Sequence, residues 1–280
     1  MDFSPLTTPP DVEALEIDLL LEGVHRRYGF DFRGYASATL HRRVQHCVRA
    51  EGLATVSALQ ERVLRDAAAF ERLVSCLSIS VTEMFRDPPF YAALRERIIP
   101  TLRTYPFIRV WHAGCATGEE VYSMAILLAE ADLLGRARLY ATDISAHALQ
   151  RAQDGIYSAE RLDLYARNYR EAGGTGDFAS YFTQQYDRGI VRADLRHNII
   201  WGQHNLVTDG SFNEFHVILC RNVLIYFDRD LQERVYGLLD ESLAARGTLG
   251  LGRHETLDFT PLARRYQTLD PREKLYRRTA

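Results

Sequence analysis

Two glycines, Gly114 and Gly118, precede two consecutive glutamates, Glu119 and Glu120, in the stretch RVWHAGCATGEEVYSMA from Arg109 to Ala125. An apolar run that meets a glycine turn and then a helix lets backbone approach a nucleotide-like ligand. A P-loop would need Gly-Lys-Ser/Thr at the helix start, and a dinucleotide loop would place a pyrophosphate there with a third glycine close by. Here the helix opens on two carboxylates, which repel phosphate. A nucleoside that carries positive charge suits the turn better.

S-adenosylmethionine has that character, with a ribose, an adenine, a sulfonium and an ammonium. Asp143 closes the run ARLYATDIS, where an acid at a strand end can accept both ribose hydroxyl hydrogens. Glu120 could receive the ammonium. Each acid also has a structural reading. Thr117 and Glu120 have capping-box spacing, and Asp143 could cap the next helix in competition with Ser145.

The elements that must position these residues follow from periodicity. FIRVWHAG, ARLYATDIS, FHVILCRN and GTLGLG read as buried strands, and EEVYSMAILLAEADLL, AHALQRAQDG closing at Gly155, and RDLQERVYGLLDESL read as helices. Such alternation predicts a doubly wound parallel α/β sheet. RYQTLDPREKLYRR reads as two strands about an Asp270-Pro271 turn, an antiparallel hairpin finishing the sheet. Between about residues 157 and 205 the alternation fails, as for an inserted subdomain or a long lid.

Residues 1–90 read as a helical domain and linker, and residues 91–280 as the α/β domain. VEALEIDLLLEGV, LHRRVQHCVRAEG and SALQERVLRDAAAFERLVSCL carry apolar residues at helix spacing. PFYAALRERIIPTL reads as one further helix, with Asp87 as its N-cap and proline in its first turn.

The net charge of -3 over 280 residues gives no case for nucleic acid or membrane binding. No apolar run reaches membrane-span length and the N-terminal stretch lacks signal-peptide regions, so a cytoplasmic location is expected. Cys47, Cys76, Cys115 and Cys220 form no CxxC pair, so free thiols are expected and no metal site is signalled.

SISVTEMFRDPPFY, VWHAGCATGEEVYSMA, ATDIS, GQHNL and ILCRNVLIYFD, in this order, resemble the chemotaxis receptor methyltransferases of the CheR family. GRHETL near Glu255 is similar to that family's late Gly-x-x-Glu segment. The resemblance runs from about Tyr28 to the C-terminus. It implies an all-α N-terminal domain before a Rossmann-like methyltransferase sheet with a small inserted β-subdomain. It also implies an enzyme that uses S-adenosylmethionine to esterify glutamate side chains on the cytoplasmic helices of chemoreceptors. The alternatives are a non-catalytic S-adenosylmethionine-binding regulator and a methyltransferase for another substrate.

By motif position, the resemblance implies that Ser80, Thr82, Arg86, Gly114, Glu120, Asp143, Asn205, Leu206, Arg221 and Asn222 line the cofactor site. Arg86 and Tyr226 would lie nearest the transferred methyl. Ser80 stands where the family often has asparagine, Met84 where phenylalanine is usual, and Val121 where proline is frequent. A glutamate carboxylate is ionised near neutral pH, so the transfer requires no general base. His112, His204 and His254 are read as structural or surface residues.

Between Gly23 and Ala50 stand Arg26, Arg27, Arg33, Arg42, Arg43 and Arg49 against the single acid Asp31. Arg42, Arg43, His46 and Arg49 fall on or near one helical face. The resemblance makes this face the one that meets acidic receptor helices. Some family members also bind a receptor tail peptide through the inserted subdomain, for which RGIVRADLRHNIIW is the candidate segment.

Overall fold

The computed structural model describes residues 11–78 and 82–279. The chain divides into two compact units, Met1–Ser78 with Tyr226–Leu231, and Ile79–Ile225 with Gln232–Ala280.

The first unit contains α1 (Val12–Tyr28), α2 (Ser37–Ala50), α3 (Val56–Arg65) and α4 (Ala67–Leu77). Asp11, Thr55 and Asp66 each accept a backbone N–H in the first turn of α1, α3 and α4, which satisfies donors that a helix start leaves open. Gly29, at φ 77°, closes α1 in the left-handed conformation. Ile17, Leu20, Leu21 and Val24 recur at helix spacing and are buried where α1 packs on α3. The Tyr28 ring stacks on Phe70 with centroids 3.9 Å apart, tying the end of α1 to α4.

The second unit is built on a seven-stranded sheet. Its strands are β1 (Ile108–Ala113), β2 (Ala137–Asp143), β6 (Ile199–Gln203), β7 (Phe215–Cys220), β8 (Leu243–Leu251), β9 (Tyr266–Asp270) and β10 (Leu275–Arg278). The order is β6-β2-β1-β7-β8-β10-β9. The first five in that order run parallel, and β10 is antiparallel to both β8 and β9. The doubly wound parallel sheet and its terminal hairpin are therefore both present. Trp111, Val110, Val217 and Leu219 are fully buried, as near-continuous apolar runs in parallel strands require.

The irregular segment forms its own three-stranded sheet, β3 (Ile156–Ser158), β5 (Arg188–Val191) and β4 (Phe182–Gln185), with both pairings antiparallel. Helix α9 (Ala159–Glu171) is carried within it. Around the main sheet lie α7 (Glu119–Glu130), α8 (Ala146–Asp154), the short α10 (Ala193–Arg196) and α11 (Arg229–Glu241).

One expected helix is broken. PFYAALRERIIPTL folds as α5 (Pro88–Ala93), a π-helical turn over Leu94–Ile98, and α6 (Ile99–Leu102). Pro100 offers no N–H and its ring would crowd the carbonyl of Glu96, so a regular turn cannot continue through it. The Ile99 N–H reaches back to the Leu94 carbonyl instead, one residue farther than an α-helix allows.

Candidate active site at the carboxyl edge of the sheet

Parallel pairing brings the ends of β1, β2, β6 and β7 to one edge. Ala113 pairs with Thr142, Asp143 with Gln203, and His112 with Leu219. Asp143 closes β2, Gly114, Arg221 and Asn222 follow β1 and β7 directly, and Asn205 and Leu206 come two and three residues after β6. In an open sheet, that edge receives the ligand where the strand order reverses, here about β1.

The turns at this edge are bent and held by buried acids. Phe85, Asp87, Ala116 and Asn222 all adopt positive φ, between 49° and 60°, without being glycine. Backbone in this region is uncommon for such residues and clusters at functional sites. Gly114 lies at φ 77°, and a Cβ there would fall 2.6 Å from the Val223 side chain. Asp143 accepts the Ala116 N–H at 2.8 Å and the Ser145 N–H at 2.9 Å, so it ties the glycine turn to the start of α8. Ser145, not Asp143, caps that helix, through the Ala148 N–H. Glu255 accepts N–H groups from Asn222, Val223, Leu224 and Gly252 at 2.6–3.0 Å. It fixes the turn after β7. Burial raises both carboxyls above their ordinary range, and the backbone donors partly oppose it.

Glu120 does not close a capping box. Its Oε1 lies 2.9 Å from His112 Nδ1 and its Oε2 accepts from Arg221 Nη1 at 3.3 Å. The helix instead starts from Gly118, at φ 90° with no side-chain cap. Burial alone would push the Glu120 carboxyl up, but His112 and Arg221 outweigh it and hold it below the usual carboxylate range. Arg221, almost wholly buried, also donates to Asp87 Oδ2 at 2.7 Å and lies 4.0 Å over the Phe90 ring. Asp87 is therefore not the side-chain N-cap of α5; its carboxylate is committed to Arg221 and Arg253. Arg253 pairs with Asp87 at 3.6 Å and with Glu273 at 3.3 Å, so three carboxylates meet two guanidiniums, which leaves one negative charge for a cation to balance.

Arg86 sits between the left-handed Phe85 and Asp87. It lines a cleft of about 450 Å³ with Thr82, Glu83, Asp87, Asn168 and Arg253. Ser80 lies outside the described residues. Tyr226 belongs to the segment that groups with the helical unit, where its carbonyl accepts the Ala36 N–H at 2.8 Å. Asn205 uses its Oδ1 to accept the Val207 N–H, while its Nδ2 is buried with no hydrogen-bond partner among the described residues. Leu206 is buried beside it.

On α2, Arg42, His46 and Arg49 are exposed along one stripe. Arg43 turns inward, and its Nη1 donates to the Cys76 carbonyl at 3.4 Å. Arg26 pairs with Glu22, and Arg33 with Glu22 and Asp31, so those two are neutralised locally. All four cysteines are free thiols.

Sequence reasoning missed the fate of Glu119. It is fully buried, accepts from Thr117 at 2.7 Å, Arg161 at 3.1 Å and Tyr165 at 3.2 Å, and so faces the inserted segment instead of the ligand edge. The only available signal was the alternation of Glu119 and Glu120 on neighbouring helix positions, which point about 100° apart.

S-adenosylmethionine fits this edge. The Asp87–Arg221–Glu120 cluster, with Arg253 and Glu273 beside it, has an anionic excess suited to an ammonium, and Asn205 Nδ2 is a buried donor with no hydrogen-bond partner among the described residues. Residues 80–270 match the family model described as CheR methyltransferase, SAM binding domain, and residues 15–78 match CheR methyltransferase, all-alpha domain. A Pseudomonas putida protein provisionally named methyltransferase Cher3 is 49% identical over 265 residues, covering 95% of this chain and 97% of that protein. Chemotaxis protein methyltransferases of Listeria monocytogenes and Salmonella typhimurium are each 28% identical, over 84% and 87% of this chain and 87% and 83% of their own lengths. No helix among the described residues is long and apolar enough to cross a membrane. The acid-lined edge and the two matched domains together place the chain in the CheR methyltransferase family, with S-adenosylmethionine as its cofactor.

Proposed function

We propose that the protein transfers a methyl group from S-adenosylmethionine to glutamate side-chain carboxylates on chemoreceptor cytoplasmic helices, giving methyl esters. One observation carries this reading. Arg86 lines a cleft whose neighbouring wall, Asp87, is bonded through Arg221 to Glu120. A cation for an acceptor carboxylate thus stands beside an anionic wall for a cationic nucleoside. The names of the Listeria and Salmonella relatives supply the chemotactic setting.

The bound cofactor supplies an electrophilic methyl on a sulfonium. Glu120 and the excess charge around Arg221 hold the ammonium end, and Asp143 accepts ribose hydroxyls with the lone pairs that Ala116 and Ser145 leave free. Arg86 orients the acceptor carboxylate by paired hydrogen bonds, as a planar guanidinium does. Tyr226 is assigned the second anchor from the family motif. Because the acceptor arrives ionised, the residues need only align it and exclude water, and such positioning can be worth about 7–11 kcal/mol. The arginine stripe of α2 meets the acidic receptor helices, and the protein works in the cytoplasm.

Purified protein is incubated with methyl-labelled cofactor and receptor cytoplasmic fragments. Base-labile label on glutamate is the expected result; cofactor binding without label on any receptor fragment would overturn the reading. Arg86→Ala should lower kcat roughly 100-fold while leaving S-adenosylhomocysteine affinity within a few-fold. Unchanged transfer would remove Arg86 from its role.

A further inference from the structure

Helix α9 enters the main unit with one face. Arg161, Tyr165 and Asn168 follow the i, i+4, i+7 spacing that aligns side chains along a helix. At one end, Arg161 Nη1 and the Tyr165 hydroxyl both donate to Glu119 Oε1, at 3.1 and 3.2 Å. Just before the helix, the Tyr157 hydroxyl donates to the Thr117 carbonyl at 2.9 Å. The cofactor turn from Thr117 to Glu119 is therefore gripped by three side chains of the inserted segment. At the other end, Asn168 Nδ2 donates to the Met84 carbonyl at 3.1 Å and reaches Glu83 Oε2 at 3.4 Å. Met84 lies two residues before Arg86, and Asn168 lines the same cleft as Arg86.

The two ends also meet through α7. Ser123 Oγ donates to the Glu119 carbonyl at 2.7 Å and accepts the Phe85 N–H at 2.8 Å. Beside Asn168, the Tyr169 ring packs edge-on against Phe85 at 5.2 Å. Arg86 thus projects from a backbone that is left-handed on both sides and fastened at Met84 and Phe85. A bend of that kind persists only where its surroundings hold it.

We propose that this face of α9 is a positioning device for the methyl transfer: Arg161 and Tyr165 fix the cofactor turn through Glu119, and Asn168 fixes the Arg86 segment. The inserted segment then completes the active site in addition to any peptide it binds. The Asn168 half rests on the proposed role of Arg86; the Glu119 half stands on cofactor binding alone.

The full-length protein is tested as Asn168→Ala, Arg161→Ala and Arg161→Lys. Asn168→Ala should speed amide hydrogen exchange over residues 82–87 and lower kcat on receptor glutamate about tenfold, with S-adenosylhomocysteine affinity within twofold. Arg161→Ala should speed exchange over 114–120 and weaken S-adenosylhomocysteine about tenfold, and Arg161→Lys should restore most of that loss. Wild-type exchange over both segments would overturn the proposal. So would a uniform fall in Tm, affinity and kcat in either alanine variant, which marks loss of fold and not of positioning. If the wild type methylates no receptor glutamate, the proposed function fails, while exchange and S-adenosylhomocysteine binding still decide the role of α9.

Discussion

Glu120 shows what a residue's type reveals and what it conceals. Its acidity and its place after a glycine turn were enough to favour a cationic nucleoside over phosphate. Its partners were not legible, because His112 lies eight residues earlier and Arg221 is 101 residues later, joined to it only by the pairing of β1 with β7. Those partners give a pH signature. A carboxyl held below its unfolded pKa contributes stability that is fully present above that value, about 4.3 for glutamate, and lost as pH falls through the folded pKa. Urea unfolding of wild type and Glu120→Gln across pH should therefore show the widest gap near neutrality, by about 1–3 kcal/mol, and a narrowing gap below about pH 4. A gap that grows toward acid would reverse the assigned sign. The neighbouring Glu119 has the opposite shift, since burial dominates there and raises its carboxyl. Adjacent identical letters thus have opposite environments, which no one-dimensional pattern distinguishes.

At the scale of elements, periodicity was a good guide wherever burial was one-sided or continuous. β1, β2, β7, α7, α8 and α11 all fall within the runs read from the sequence, β8 overlaps its run but begins at Leu243, four residues before GTLGLG, and the Asp270-Pro271 turn does join two antiparallel strands. Periodicity showed the β-subdomain as a failure of alternation, and only the family resemblance named it, because its strands have three or four residues and pair across a helix. The break at Leu94–Ile98 was concealed by an apolar pattern that runs through Pro100 unaltered. The glycine turn was legible for a physical reason: only glycine tolerates its backbone without strain. Gly114→Ala should test it, because φ 77° and a Cβ 2.6 Å from Val223 force a shift of the turn. The expected cost is about 1–3 kcal/mol in urea unfolding, with at least about a tenfold loss of S-adenosylhomocysteine affinity by calorimetry. Wild-type affinity would mean that the turn does not wall the ligand.

For the molecule as a whole, charge is divided by task, although its net value of -3 is nearly neutral. The sheet edge gathers carboxylates around one buried arginine, while α2 carries exposed cations. The sequence marked six arginines as a group, and the structure separates them: Arg26 and Arg33 are spent on local acids, Arg27 lies 5.3 Å over the Tyr28 ring, Arg43 is turned toward α4, and Arg42 and Arg49 remain exposed on one stripe with His46. Spacing alone could place these residues on a helix face, but only the fold shows which have nearby acids. Among the described residues Arg42 and Arg49 pair with none, so a receptor helix rich in glutamate could approach them without displacing an internal partner. The double variant Arg42→Glu, Arg49→Glu should then raise KM for receptor fragments about tenfold while kcat and S-adenosylhomocysteine affinity stay within twofold. Exposed charges are screened over about 10 Å at 0.1 M salt, so the difference between wild type and variant should shrink between about 0.05 and 0.5 M. Equal KM values at low salt would place receptor recognition elsewhere on the molecule.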